Sequence, residues 1–127
     1  MKLAEIIDML DAELIVGTPD QLQIDIKTAF GADLMSDVLC DARSGCLLIT
    51  GLTTPQGVRI AYALDIAGIV FCRGKRPQPQ SIEIARELGI PLLRTQYIMF
   101  ETCGRLFGEG IIGCIREICA GDSFREI

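Results

Sequence analysis

Apolar residues at Leu3, Ile6, Ile7 and Leu10 recur at the spacing of one helical face and predict a helix over Lys2–Met9. Glu13–Val16 reads as a short strand, closed by the turn residues Gly17-Thr18-Pro19. Ile24–Ala29 alternates apolar and polar side chains, beginning Ile24-Asp25-Ile26-Lys27, as a half-buried strand does. Leu34–Asp41 has helical character, with Asp33 placed to cap its start.

The second half is patterned more sharply. Leu47-Leu48-Ile49 is an unbroken apolar run ending in Thr50-Gly51, and Ile69-Val70-Phe71-Cys72 is another, ending in Arg73-Gly74. The helix after each run opens on a proline, Pro55 or Pro79, where the missing N–H costs nothing because the first turn offers it no acceptor. Thr54 stands where it can cap the first of these helices. At an offset of 24 residues Pro55-Gln56 is echoed by Pro79-Gln80, Val58 by Ile82, Ile60-Ala61 by Ile84-Ala85, and Leu64 by Leu88. Two copies make a twice-used strand–loop–helix module and fall short of a solenoid.

Gly89 stops the second helix and Pro91-Leu92-Leu93 starts a third strand. A helix over Tyr97–Phe107 follows, with Tyr97, Phe100 and Phe107 on or near one face. Ile111, Ile115 and Ile118 stand at helical spacing and predict a last helix at about 111–120, used for packing or for dimerisation.

Strands alternating with helices imply a mainly parallel sheet joined by right-handed crossovers. Apolar runs without polar alternation belong to strands covered on both faces. The expected fold is therefore α/β, a three-layer α/β/α arrangement, and the 127 residues make a single domain, 1–127.

Half of the residues are hydrophobic, yet no apolar run approaches the ~18–20 residues that span a bilayer. Glu5 and Asp8 interrupt the first ten residues where a secretory leader needs an uncharged stretch. The expectation is a cytoplasmic protein that does not bind a membrane. The net charge of −5 argues against nucleic acid, which demands a clustered basic face.

Six cysteines stand at positions 40, 46, 72, 103, 114 and 119, with no Cys-x-x-Cys pair. Without an export signal they read as thiols of a reducing compartment, most of them core residues; a metal or iron–sulfur role is the alternative. Histidine is absent altogether, which excludes Ser-His-Asp and Cys-His catalysis and a histidine pH switch. Asp8 and Asp11, and Asp37 and Asp41, share helical faces, but their faces oppose the apolar stripes and read as solvated. Glu101 and Arg105 are spaced for a surface ion pair. No catalytic constellation emerges, and neither a metal nor an organic cofactor is called for.

Between Gly68 and Gly110 the stretch GIVFCRGKRPQPQSIEIARELGIPLLRTQYIMFETCGRL, together with LLITG at Leu47–Gly51, resembles the DRTGG domain family. The pentapeptide Asp-Arg-Thr-Gly-Gly itself is absent, and the loop Gly51–Gly57 reads GLTTPQG in its place. The resemblance implies a parallel α/β fold, a tendency to form homodimers, and no reaction of its own. It also implies company: CBS modules in regulated pyrophosphatases, phosphotransacetylase domains, and, for short members, iron hydrogenase subunits. The N-terminal domain of HPr kinase is similar.

In an open parallel sheet ligands gather beyond the carboxyl ends of the strands. The first such end offers Thr50, Gly51, Thr53 and Thr54; the second offers Arg73, Gly74, Lys75 and Arg76; the third offers Arg94 and Thr95. Together they make a candidate site for an anion such as phosphate or a nucleotide. The same residues also read as caps, turns and solvated charges, or as a protein–protein surface. Neither a Walker loop nor a Gly-x-Gly-x-x-Gly turn is present.

Three functions compete. The first is a non-catalytic module that senses a ligand and signals to a metabolic or hydrogenase-type enzyme. The second is a structural adaptor or dimerisation protein without a ligand. The third is a thiol redox or iron–sulfur protein. An enzyme working through Cys72 or Cys103 lacks a visible base.

Overall fold

One sheet organises the chain, and the computed structural model describes residues 1–115 of it. Its strands are β1 (Glu13–Val16), β2 (Thr28–Gly31), β3 (Leu47–Thr50), β4 (Gly68–Phe71), β5 (Leu92–Arg94) and β6 (Ile112–Gly113). They lie in the order β1-β5-β4-β3-β2-β6. All neighbours are parallel except β1, which runs antiparallel to β5 with Glu13 opposite Arg94.

Helices α2 (Met35–Asp41), α3 (Pro55–Ala63) and α4 (Pro79–Leu88) connect β2 through β5. They pack on one face of the sheet, where Val38, Val58, Ala61 and Ala85 bury against Leu48, Ile69, Phe71 and Leu92. Helices α1 (Leu3–Met9) and α5 (Met99–Gly108) cover the other face, where Leu3, Ile6, Leu10 and Leu106 meet Leu47, Ile49, Val70 and Leu93. This is the expected three-layer arrangement. The alternation of strand side chains explains it: Leu47 and Ile49 serve one core while Leu48 serves the other, so an all-apolar run is required. Burying each such side chain is worth roughly 1.5–3 kcal/mol.

The connection from β5 to β6 differs from the others. It crosses back over the sheet on the opposite face, through α5, and ends beside β2 at the far edge. The start of α5 is thereby drawn over the carboxyl ends of β3 and β4.

Several local expectations change. Ile24–Lys27 is not part of the sheet: the strand begins at Thr28, and Asp25 instead makes an isolated antiparallel bridge to Lys2. Ile26 is nonetheless fully buried. Alternation reports an extended segment with one face covered, not the partner that covers it. The helix expected at 111–120 does not form at its start, because Ile112-Gly113 pairs with Thr28-Ala29 as β6 after a left-handed Gly110. Its remaining positions, 116–120 with Ile118 and Cys119, lie outside the described residues. Helix α5 begins two residues later than expected; Phe100 and Phe107 stand exposed on it, while Tyr97 is half-buried beneath the Arg105 guanidinium, 4.2 Å from its ring centre. The Glu101–Arg105 pair forms at 3.1 Å.

Thr54 and Pro55 occupy the first positions of α3 as expected, though the Thr54 hydroxyl makes no capping bond. Asp33 does not cap α2, whose N-cap residue is Leu34. Its carboxylate turns toward β3, with consequences for the site. Among the described residues no helix is long and apolar enough to cross a membrane.

Candidate functional site

The parallel run of β3, β4 and β5 delivers Thr50, Arg73 and Arg94 to the same end of the sheet, and a cavity of about 320 Å³ opens there. Asp33 and Gly51 form one side of it, Arg73 and Lys75 another, and Ile98, Met99 and Phe100 of the α5 entry a third; Cys72 lies at its floor.

The loop after β4 makes this shape. Four residues separate Thr50 from Pro55, whereas seven separate Phe71 from Pro79. The longer loop begins with a tight turn in which the Lys75 N–H donates to the Cys72 carbonyl at 3.2 Å. Both central residues are left-handed, Arg73 at φ 63° and Gly74 at φ 68°, as the mirror-image class of turn requires. Glycine adopts this geometry freely, but arginine pays about 1 kcal/mol for it. The turn is held by the segment that leaves β5: the Arg73 N–H donates to the Tyr97 carbonyl and the Gly74 N–H to the Thr95 carbonyl, each at 2.8 Å. Backbone strain fixed by neighbouring segments is characteristic of ligand-binding turns.

On the opposite side the Asp33 carboxylate is pinned. Its Oδ1 accepts the Gly51 N–H at 2.6 Å and the Thr50 hydroxyl at 3.2 Å. Thr50 Oγ1 in turn accepts the Leu52 N–H at 3.1 Å. The two N–H groups best placed to cradle a phosphate at the end of β3 are therefore already satisfied from within. The cationic side is different: neither Arg73 nor Lys75 enters an ion pair among the described residues. The first turn of α5, which borders the same cavity, also opens without a side-chain cap.

The other sequence-derived site residues are committed elsewhere. Arg76 and Arg94 both pair with Glu13, at 3.3 and 3.4 Å, and Arg94 Nε also donates to the Gly74 carbonyl at 2.8 Å. Thr95 is buried, and its hydroxyl donates to the Leu10 carbonyl at 2.7 Å. The Thr53 carbonyl accepts the Ser81 hydroxyl at 2.7 Å, and neither Thr53 nor Thr54 lines the cavity. The structure thus gathers Gly51, Arg73 and Lys75, supports them with Thr50 and Gly74, and adds Asp33 and the α5 entry. Those additions follow from sheet order and from the return crossover, which no local pattern announces.

Three of the thiols, Cys46, Cys72 and Cys103, are poorly suited to chemistry. Burial pushes the Cys46 and Cys72 thiols up to about 11, and it raises that of Cys103 as well. They remain protonated near neutral pH, whereas nucleophiles and metal ligands are thiolates. Among the described residues no group of three or more cysteine and carboxylate side chains converges to hold a metal.

The chain is an α/β domain with a doubly covered, mostly parallel sheet and a cation-bearing cavity beyond its strand ends. The chain belongs to the DRTGG domain family, whose model matches residues 5–107. Among solved structures it is similar to the CBS and DRTGG domains of the regulatory region of Clostridium perfringens pyrophosphatase, a structure complexed with the activator diadenosine tetraphosphate. The TM-score is 0.71 at 19% identity, over 83% of this chain and 45% of that one, so the chain spans less than half of the structure it matches. No curated protein matches the sequence.

Proposed function

We propose that the chain is a non-catalytic, ligand-sensing regulatory module that binds an anionic, nucleotide-like ligand in the cavity beyond β3 and β4. The observation that carries this reading is the pairing of Arg73 and Lys75, free of ion pairs among the described residues, with a cavity of about 320 Å³ on whose rim both stand. The volume falls within the range of small-molecule sites. Cations held on a rigid turn and the uncapped start of α5 both favour negative charge. The similar structure is the regulatory region of an enzyme and was captured with a nucleotide activator, which supports a nucleotide as ligand and a metabolic enzyme as partner, ahead of a hydrogenase-type one. The reducing cytoplasm suits a chain whose described cysteines are free.

The signal would pass through α5, which borders the cavity at one end and exposes Phe100 and Phe107 along its length. This exposed apolar face supports homodimer formation. It also favours a second reading, an adaptor that associates without any ligand.

Thermal denaturation with nucleoside mono- and triphosphates, diadenosine tetraphosphate or inorganic phosphate separates the two. A ligand at about ten times its Kd adds roughly 1.4 kcal/mol and raises Tm by about 5 °C. The rise should vanish in the Arg73→Ala/Lys75→Ala variant. Unchanged melting at millimolar concentration of every compound would leave the adaptor reading alone.

A further inference from the structure

The cavity is not uniformly cationic, and the Asp33 carboxylate on its wall says what else the ligand must carry. We infer that the ligand is a ribonucleotide whose sugar hydroxyls are read by Asp33, while its phosphate lies against Arg73 and Lys75. This rests on the ligand-binding reading above and narrows it.

Asp33 follows β2, the neighbour of β3 in the sheet. Its Oδ1 is occupied by Gly51 and Thr50, so the plane of the carboxylate is fixed. Oδ2 accepts no hydrogen bond among the described residues, and the side chain lines the cavity. A pre-oriented carboxylate oxygen with an open lone pair demands a donor, and it repels a bare polyanion. The ligand must therefore present hydroxyl or amine hydrogens on one side and negative charge on the other.

The spacing joins these two requirements within one sugar–phosphate unit. A Cβ placed on Gly51 would lie 3.7 Å from the open Asp33 Oδ2 and 3.8 Å from Lys75 Nζ, so the acid and the cation stand close together beside Gly51. One nucleotide can offer a sugar hydroxyl to the acid and a phosphate oxygen to the cation at the same time. An acidic residue at the end of a strand adjacent to a glycine-bearing strand end is the arrangement that other nucleotide-binding sheets use for ribose. The third wall offers the base its surface: Ile98 and Phe100 are exposed, Phe100 at 83%, and a purine or pyrimidine ring stacks on an aromatic side chain. At about 320 Å³ the cavity holds one nucleotide unit rather than two.

The test compares ribonucleoside 5′-monophosphates with their 2′,3′-dideoxy counterparts by isothermal titration calorimetry on the full chain. The wild-type protein should bind at least one ribonucleotide about tenfold or more tightly than its dideoxy form, the worth of a hydrogen bond to a charged acceptor. Asp33→Asn keeps an oxygen for the Gly51 N–H but replaces the charged acceptor with a neutral donor, and it should reduce the preference for the ribonucleotide severalfold. Arg73→Ala/Lys75→Ala should lose both. Equal binding of the two forms by the wild type overturns the ribose assignment while leaving the anion site standing. Binding of neither form, with inorganic phosphate still raising Tm, also overturns it; silence from every compound removes the ligand-binding reading as well. The wild-type ratio decides without any variant, so a misfolded Asp33→Asn protein would not blur the outcome.

Discussion

Cys46 and Cys72 are almost wholly enclosed, and their thiols ionise only near 11 in the folded chain. An unfolded thiol ionises near 8.5. Between those values the folded state holds more protons than the unfolded one, so stability falls as pH rises. Urea denaturation should give a stability that these two thiols leave unchanged up to about pH 8.5 and diminish progressively toward pH 11. The Cys46→Ala/Cys72→Ala variant should be less stable at neutral pH, because it leaves cavities, and flatter over the alkaline limb. An equally steep limb in that variant would assign the loss to other groups. Exposed Cys40 should meanwhile react with a thiol reagent well before Cys46 or Cys72. The expectation that most cysteines are core residues fails among the described ones: Cys40 is exposed and Cys103 and Cys114 are only partly buried. Burial of Cys46 and Cys72 is readable in the sequence from their apolar company. The part played by Asp33 is not, because an aspartate before a helical stretch ordinarily caps it, and only the adjacency of β2 and β3 turns it to Gly51.

The helices hold two kinds of glycine, one at an end and one inside, that should respond in opposite directions. Gly89 ends α4 in the left-handed conformation at φ 74°, with nothing near its would-be Cβ. Gly89→Ala should therefore lose about 1 kcal/mol from backbone strain alone. Gly104 sits inside α5 with ordinary helical geometry and equally open space, so Gly104→Ala should gain about 0.5–1 kcal/mol. Should α5 pair with a second copy, the same methyl would weaken that association, which light scattering reports; a Gly104→Ala chain that neither stabilises nor changes mass would argue against both expectations. The prolines and Gly89 make the helix boundaries readable, since cap chemistry and apolar period agree there. The helical echo also contains a clue to the site. Leu47 pairs with Gly68 while Pro55 echoes Pro79, so strands repeat at 21 residues and helices at 24. The surplus is the loop that carries Arg73 and Lys75. Less readable are the short pieces: β6 is two residues long, and helical spacing of isoleucines cannot reveal that Ile112 is claimed by the edge of β2.

At the scale of the molecule, three consecutive parallel strands bring their exits to one rim, and the fourth connection returns over it. The first half of that arrangement follows from alternating strand and helix patterns. The second half depends on which face α5 takes, and helical periodicity is silent about faces of a sheet it has not met. The return crossover converts a rim of turns into a cavity by setting Ile98, Met99 and Phe100 across from Asp33 and Gly51. It also ties the cavity to the exposed face of α5, as the proposed signalling from ligand to partner requires. A side chain at Gly51, where φ is ordinary, would project between Asp33 and Lys75. Gly51→Leu should consequently abolish ligand binding with little loss of stability, measured by calorimetry and urea denaturation together. Retained affinity in that variant would place the ligand elsewhere.

The most direct measurement is amide chemical-shift mapping of the isotope-labelled chain during titration with ribonucleoside monophosphates. The expected result is a saturable set of shifts confined to Asp33, Gly51, Cys72–Lys75 and Ile98–Glu101, weakening outward along α5. Shifts centred on another surface, or an unchanged spectrum at millimolar nucleotide, would contradict a ligand site beyond β3 and β4.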